Sequence, residues 1–250
     1  MTDRAGPSRC HILLDDIAGM PIVLATYNIH ACIGADGEFD PDRIIAVIKE
    51  LDADVLALQE VEHHKFDDLD LLDYLAAGSG YVAIAGPTLL RGSRDYGNAL
   101  LTRLPVLSLN RLDLSMPGRE PRGALDVVFD CNGQSLQVVA THLGLNPAER
   151  RQQARLLLSL FNPPAADISV LMGDLNEWFL WGRILRWLHA HFQATPGYAT
   201  FPARWPLFAL DHIWVHPRSR LSTLAVHTST LARIASDHLP LKGILQTEQQ

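Results

Sequence analysis

The chain has 250 residues, 48% of them hydrophobic and 20% charged, and a formal net charge of −7. That length suits a single α/β unit with a large core. The acidic balance argues against a protein held to nucleic acid by bulk charge, since phosphate contacts supply most of that affinity. Only a local patch of Arg91, Arg94, Arg119 and Arg122 could reverse it.

Ile22–Tyr27 is a short β-branched apolar run and predicts a buried strand. Asp40 and Pro41 mark the start of a helix through Leu51, as N-cap and first-turn proline. Asp54–Gln59 predicts a second strand, and a helix near Asp68–Ala77 follows. Strand–helix–strand–helix is the opening of an α/β layer. Asn98–Thr102, Val106–Leu114, Ala124–Phe129 and Ser135–Thr141 then predict an antiparallel meander, with a turn at Cys131-Asn132-Gly133-Gln134. A helix from Pro147 to about Leu160, a strand at Ser169–Met172 and a helix over roughly Trp181–His191 come next. Ile213–Val215, Leu224–His227 and Leu241–Leu245 are expected to complete a second sheet. Two packed sheets between helical layers fit this order.

Residues 1–20 are expected to form a flexible leader, and 21–246 a single domain. The three cysteines, Cys10, Cys32 and Cys131, have no metal-ligand spacing and suggest reduced thiols in the cytoplasm. No apolar run reaches the ~18 residues of a membrane span. The chain is expected to be a monomer.

The polar residues at the ends of these runs carry the chemistry. Asn28 follows one strand and Glu60 the next, so an amide oxygen and a carboxylate would meet. Such a hard, oxygen-only environment suits Mg²⁺ or Mn²⁺. Asp174 and Asn176 flank Leu175; in an extended segment both would face one point. The carboxylate would orient or deprotonate water and the amide would donate to a phosphate oxyanion. His142 and His238 sit at strand ends with Asp211 and Asp237 as candidate partners, and a carboxylate neighbour would keep an imidazole cationic. Which carboxylate serves which histidine is open at this level. Tyr96, Asn98 and Arg122 are candidate substrate contacts, Arg122 because guanidinium suits bidentate phosphate binding. Trp178, Phe179, Leu180 and Trp181 are either a helix packed on the sheet or an exposed patch for a lipid or base. Thr200-Phe201-Pro202 and Trp205-Pro206-Leu207-Phe208 pose the same choice beside Asp211.

Seven strings occur in order: Thr26-Tyr27-Asn28-Ile29-His30, Leu58-Gln59-Glu60, Gly97-Asn98-Ala99-Leu100, Thr141-His142-Leu143-Gly144, Gly173-Asp174-Leu175-Asn176, Leu210-Asp211-His212 and Ser236-Asp237-His238-Leu239-Pro240. Together they resemble the endonuclease/exonuclease/phosphatase superfamily, the group related to DNase I, over about residues 22–245. The small stand-alone bacterial members are the most similar, sharing also Glu177-Trp178 and Thr200-Phe201-Pro202. The resemblance implies a four-layer α/β/β/α sandwich and a divalent metal, Mg²⁺ or Mn²⁺, on Asn28, Glu60 and Asp237. It implies that Asp174 activates water and Asn176 holds the phosphate. By the same likeness His142 is a general acid or phosphate donor, and His238, oriented by Asp211, stabilises the transition state.

The expected activity is a phosphodiesterase acting on a small-molecule or lipid-linked diester. A DNA or RNA nuclease is the alternative, and a non-catalytic binding protein on the same fold is the alternative of another class. The cysteine pairs of secreted nucleases and an evident groove for duplex DNA are missing. His212-Ile213-Trp214 stands where inositol-phosphate phosphatases carry their signature.

Overall fold

The computed structural model describes residues 21–247 apart from 64, 67, 68, 92, 93 and 132; at 63, 65, 66, 69, 87–91 and 94–96 it describes the backbone alone. Cys10 and the expected leader lie outside the described residues. In chain order the elements are β1 (Ile22–Asn28), α1 (Pro41–Leu51), β2 (Val55–His63), the short β3 (Lys65–Phe66) and β4 (Leu69–Asp70), and α2 (Leu71–Ser79). Next come β5 (Val82–Arg91), β6 (Arg94–Thr102), β7 (Val106–Asp113), β8 (Gly123–Cys131), β9 (Gln134–His142), α3 (Pro147–Ser159) and β10 (Ile168–Asp174). The last are α4 (Arg183–Phe192), β11 (Asp211–His216), β12 (Leu221–Val226), α5 (Ala232–Ala235) and β13 (Leu241–Leu245).

These strands form a six-stranded sheet, β12-β13-β1-β2-β6-β5, and a five-stranded sheet, β11-β10-β9-β8-β7. Each sheet is mixed and has one parallel pair, β1 with β2 and β9 with β10. α1 and α3 make the two crossovers that a parallel pair requires. Period-2 alternation then sorts the side chains. Leu24, Val55, Ala57 and Leu100 meet Val127, Val138, Val170 and Met172 between the sheets. Ala25, Leu56 and Leu58 face the other way and pack under α1, α2 and α5. Val139, Leu171 and Trp214 pack under α3 and α4. The result is an α/β/β/α sandwich.

The helix starts follow from their caps. Asp40 accepts from Arg43 N at 3.1 Å ahead of Pro41. Asp70 caps α2 by accepting from Leu72 N, so that helix begins at Leu71 rather than near Asp68. Two expectations need correction. The meander is split: β6 pairs with β2 and β5 in the first sheet, and only β7–β8–β9 run as a meander in the second. The three C-terminal strands are split as well. β11 joins β10, whereas β12 and β13 return to the first sheet, where β13 covers the free edge of β1, buried throughout except at Val23. β5 escaped the reading because Gly86 and Pro87 interrupt its pattern; it is an edge strand, where proline costs no ladder bond.

Cys32 and Cys131 are free and buried. Burial pushes both thiols up to about 12, so neither is a reactive thiolate near neutrality. No helix among the described residues is long and apolar enough to cross a membrane.

Candidate active site

The C-terminal ends of the two parallel pairs lie at the same edge of the sandwich. Asn28 pairs in register with Gln59, so Glu60 follows directly beside it. Asp174 pairs with His142 on one side and with Asp211 on the other. Antiparallel β13 brings the loop carrying Asp237 and His238 to the end of β1, where Ser236 Oγ donates to Asn28 O at 2.7 Å. Six of the seven strings therefore meet for a topological reason.

Two of the residues hold left-handed backbone. Glu60 has φ +57 at a bulge, with the β2–β6 register shifting between Leu58 and Val61. The extra residue re-aims the carboxylate toward the sheet edge. Asn176 has φ +50, so Asp174 and Asn176 do not converge through an extended segment as expected. They converge through a turn in which Asn176 N donates to Asp174 Oδ1 at 2.8 Å. Non-glycine residues in this conformation are costly and cluster at functional sites.

Asp174 Oδ2 is the hub. It accepts from Asn28 Nδ2 at 3.1 Å and lies 3.5 Å from His142 Nε2 and 3.8 Å from His238 Nε2. Asn28 Nδ2 also donates to Glu60 Oε1 at 3.0 Å, while its oxygen accepts from His30 N. In this arrangement Asn28 bridges the carboxylates with its amide nitrogen. His238 Nδ1 donates to Asp211 Oδ2 at 2.8 Å, and Thr200 Oγ1 donates to the same oxygen at 2.6 Å. Burial opposes charge on His238, but the Asp211 carboxylate, then Asp174 and Asp237, lift the ring to about 10. Burial drives the Asp174 carboxyl upward, against the pull of His238 and with the push of Asp211.

His142 is different. Its Nδ1 faces Arg122 Nη1 at 3.1 Å, and its Nε2 lies 2.9 Å from Asn176 Nδ2. Burial, then the charges of Arg122 and His238, hold it well below the ordinary histidine value. The expected carboxylate-raised, cationic His142 is replaced by a neutral ring. Arginine and amide N–H groups only donate, so Arg122 at Nδ1 and Asn176 at Nε2 both present donors to the ring of His142.

The expected substrate contacts divide. Arg122 is buried, holds Glu120 with Nη2 at 3.1 Å, and keeps an unpartnered Nε. Asn98 Nδ2 donates to Gly123 O at 3.0 Å, tying the first sheet to the strand that follows Arg122. Tyr96 stands on β6, and its side chain lies outside the described residues. A cavity of about 430 Å³ opens beside Arg122, between Gly118–Glu120 and Gly144–Pro147. Thr200 and Ser236 stand in strings quoted from the sequence, where their hydroxyls carry no assigned role. Their only signal is position, a hydroxyl in or next to a recurrent string. His212 stacks on Trp214 and takes no part at the hub.

A divalent cation fits the oxygens at the rim. Asp174, Asp211 and His238 also come within 4.8 Å of one another, but Asp211 and His238 already satisfy each other. Glu60 and Asp237 keep side chains 23% and 35% exposed, with hard oxygens toward solvent. The unpartnered, buried Asp211 Oδ1 and the buried Asp174 leave the pocket short of positive charge, which an ion on Glu60 and Asp237 would supply.

Two mixed sheets with a carboxylate–imidazole site at one edge define the DNase I-like class of phosphoester hydrolases. The chain belongs to the Endonuclease/Exonuclease/phosphatase family, which matches it over residues 25–238. The uncharacterized protein YbhP of Escherichia coli K12 is 29% identical over 237 residues, covering 87% of this chain and 93% of that protein. The crystal structure of an endonuclease/exonuclease/phosphatase from Beutenbergia cavernae has a TM-score of 0.73 at 25% identity, covering 91% of this chain and 72% of the other. One from Bacteroides vulgatus has a TM-score of 0.75 at 22% identity, covering 92% and 100%.

Proposed function

We propose that this protein is a divalent-metal-dependent phosphodiesterase for a small-molecule or lipid-linked diester, cleaving it by in-line attack of water. The observation that carries this reading is the convergence of His142 Nε2 and His238 Nε2 on Asp174 Oδ2, beside the Glu60 carboxylate. A phosphoryl group seated there meets the His238 N–H, the edge of the His142 ring and a buried carboxylate. Cationic His238, fixed by Asp211, donates to a non-bridging oxygen as charge builds in the transition state. Neutral His142 lines the same position without adding a full charge. Asp174, with its raised proton affinity, orients the attacking water and accepts its proton. Glu60 and Asp237 would hold Mg²⁺ or Mn²⁺, which when bound neutralises phosphate charge and stabilises the leaving oxygen. The cavity beside Arg122 gives room for a compact group on one side of the phosphate.

The test is hydrolysis of bis(4-nitrophenyl) phosphate with Mg²⁺ or Mn²⁺. Turnover that EDTA removes and that Asp174→Asn abolishes supports the reading. Equal turnover by Asp174→Asn, or full turnover in chelator, rejects it.

A further inference from the structure

Beside the site the chain changes character. Residues 178–210 hold four of the five tryptophans, three arginines (Arg183, Arg186, Arg204) and no aspartate or glutamate, in a chain of net charge −7. None of the three arginines pairs with a carboxylate among the described residues. Structurally the segment supplies two loops. One leaves β10 and carries Trp178 to Trp181. The other is a small hairpin closed by backbone bonds between Phe201 and Phe208, with Arg204 to Leu207 at its tip.

The loops form one ridge. Trp178 packs edge-on against Phe201 and Phe208, at 5.8 and 4.9 Å between ring centres. Beyond that contact, Trp181 is 74% and Leu180 61% exposed on one loop, and Trp205 and Leu207 are 73% exposed on the other. Adjacent large apolar side chains this open carry an unfavourable hydration cost that calls for an occupant. The inner end reaches the site: Phe201 lies 4.8 Å from the His238 ring, Ala203 N donates to Asp237 O, and Leu239 N donates to Thr200 O. Whatever covers the ridge lies against the mouth of the catalytic pocket.

We propose that this ridge docks the protein on a phospholipid bilayer with an anionic surface, so that the site takes its phosphodiester from a lipid headgroup. The proposal rests on the phosphodiesterase reading and names its substrate class. Tryptophan and leucine at loop tips with arginines beside them match the chemistry of a headgroup–acyl boundary, where apolar insertion and attraction to anionic lipid add. A single nucleic-acid strand is a poorer match. Base stacking needs open ring faces along a basic groove, whereas Trp178 is packed edge-on against Phe201 and Phe208 and the most exposed positions include two leucines.

The experiment measures binding and turnover separately. The full chain is sedimented with vesicles of phosphatidylglycerol and phosphatidylcholine in equal parts, and with phosphatidylcholine alone, while tryptophan emission is followed. Binding to the mixed vesicles with a blue shift is expected. Trp181→Ser with Trp205→Ser should weaken it by about tenfold or more. Arg183→Gln with Arg204→Gln should weaken binding to the anionic vesicles by roughly fivefold per arginine and leave the neutral ones unaffected. Both double variants should hydrolyse bis(4-nitrophenyl) phosphate within about twofold of the parent, and Asp174→Asn should bind vesicles normally. No vesicle binding by a protein that turns over the aryl diester overturns the docking proposal alone. Vesicle binding without turnover of any diester overturns the catalytic reading beneath it. Loss of single-stranded oligonucleotide binding, rather than vesicle binding, in the tryptophan variant replaces the bilayer with a nucleic acid.

Discussion

Asp211 and His238 form a buried ion pair, with Oδ2 2.8 Å from Nδ1, and Thr200 fixes the same oxygen from the other side. The pair raises the imidazole to about 10 from an ordinary value of 6.5. A histidine raised on folding contributes stability that is fully present below pH 6.5 and lost as pH rises through about 10. Asp211→Asn should remove that alkaline loss and lower the His238 titration by several pH units, followed by NMR of the ring. His238→Ala should reduce kcat by about 10²–10⁴. A His238 titration unmoved by Asp211→Asn would reject the assignment.

His142 gives the opposite sign. Burial and Arg122 depress its pKa, so the neutral ring's contribution is present above pH 6.5 and is lost as pH falls through the lowered value. Arg122→Met should raise the His142 titration by removing one of the two charges that oppose it. The same variant should leave Glu120 without its 3.1 Å partner and cost stability. An unchanged His142 titration would remove Arg122 from any role in setting the charge of that ring.

Metal binding is predicted to be visible without turnover. A ligand at a hundred times its Kd stabilises the native state by about 2.7 kcal/mol, roughly 5–10 °C in Tm for a chain of this size. Mg²⁺ or Mn²⁺ should raise Tm on that scale, and Glu60→Gln should reduce the gain and raise the metal concentration needed for half-maximal turnover. Asp237→Asn should act in the same direction. An equal thermal shift in both variants would move the ion elsewhere.

Much of this was legible in the chain because strand-end polar residues interrupt strongly apolar runs. β1, α1, β2, β9 and β10 follow from such runs and their caps, as does the meeting of Asn28, Glu60, His142, Asp174 and His238 at one edge. What sequence could not supply was register and long-range pairing. Nothing local to Leu241–Leu245 says that its partner is β1, more than two hundred residues upstream. Nor does Thr141-His142-Leu143 reveal that a buried arginine will lie against the ring. The positive φ at Asn176 is likewise a tertiary demand, set by contacts to Asp174 and the Leu143 carbonyl. Thr200 and Ser236 act through single hydroxyls that composition cannot weigh.

Fold and site depend together on Gly173. It has φ +142, and a Cβ there would stand 1.8 Å from the Thr141 carbonyl oxygen of the neighbouring strand. No side chain can yield, because the obstacle is backbone. Gly173→Ala must therefore part β9 from β10 where Asp174 sits beside His142. The predicted cost is above about 4 kcal/mol, in the range reserved for gross steric or backbone conflict. Gly118 is the control. Its φ of +70 is also left-handed, but an added Cβ meets nothing within 4 Å. Gly118→Ala should cost only about 1 kcal/mol, the penalty of the conformation itself. Urea unfolding of the two variants measures the contrast. Similar midpoints for both would mean that strands β9 and β10 can separate at Gly173 without loss, and the tight pairing could no longer be credited with aligning Asp174 and His142.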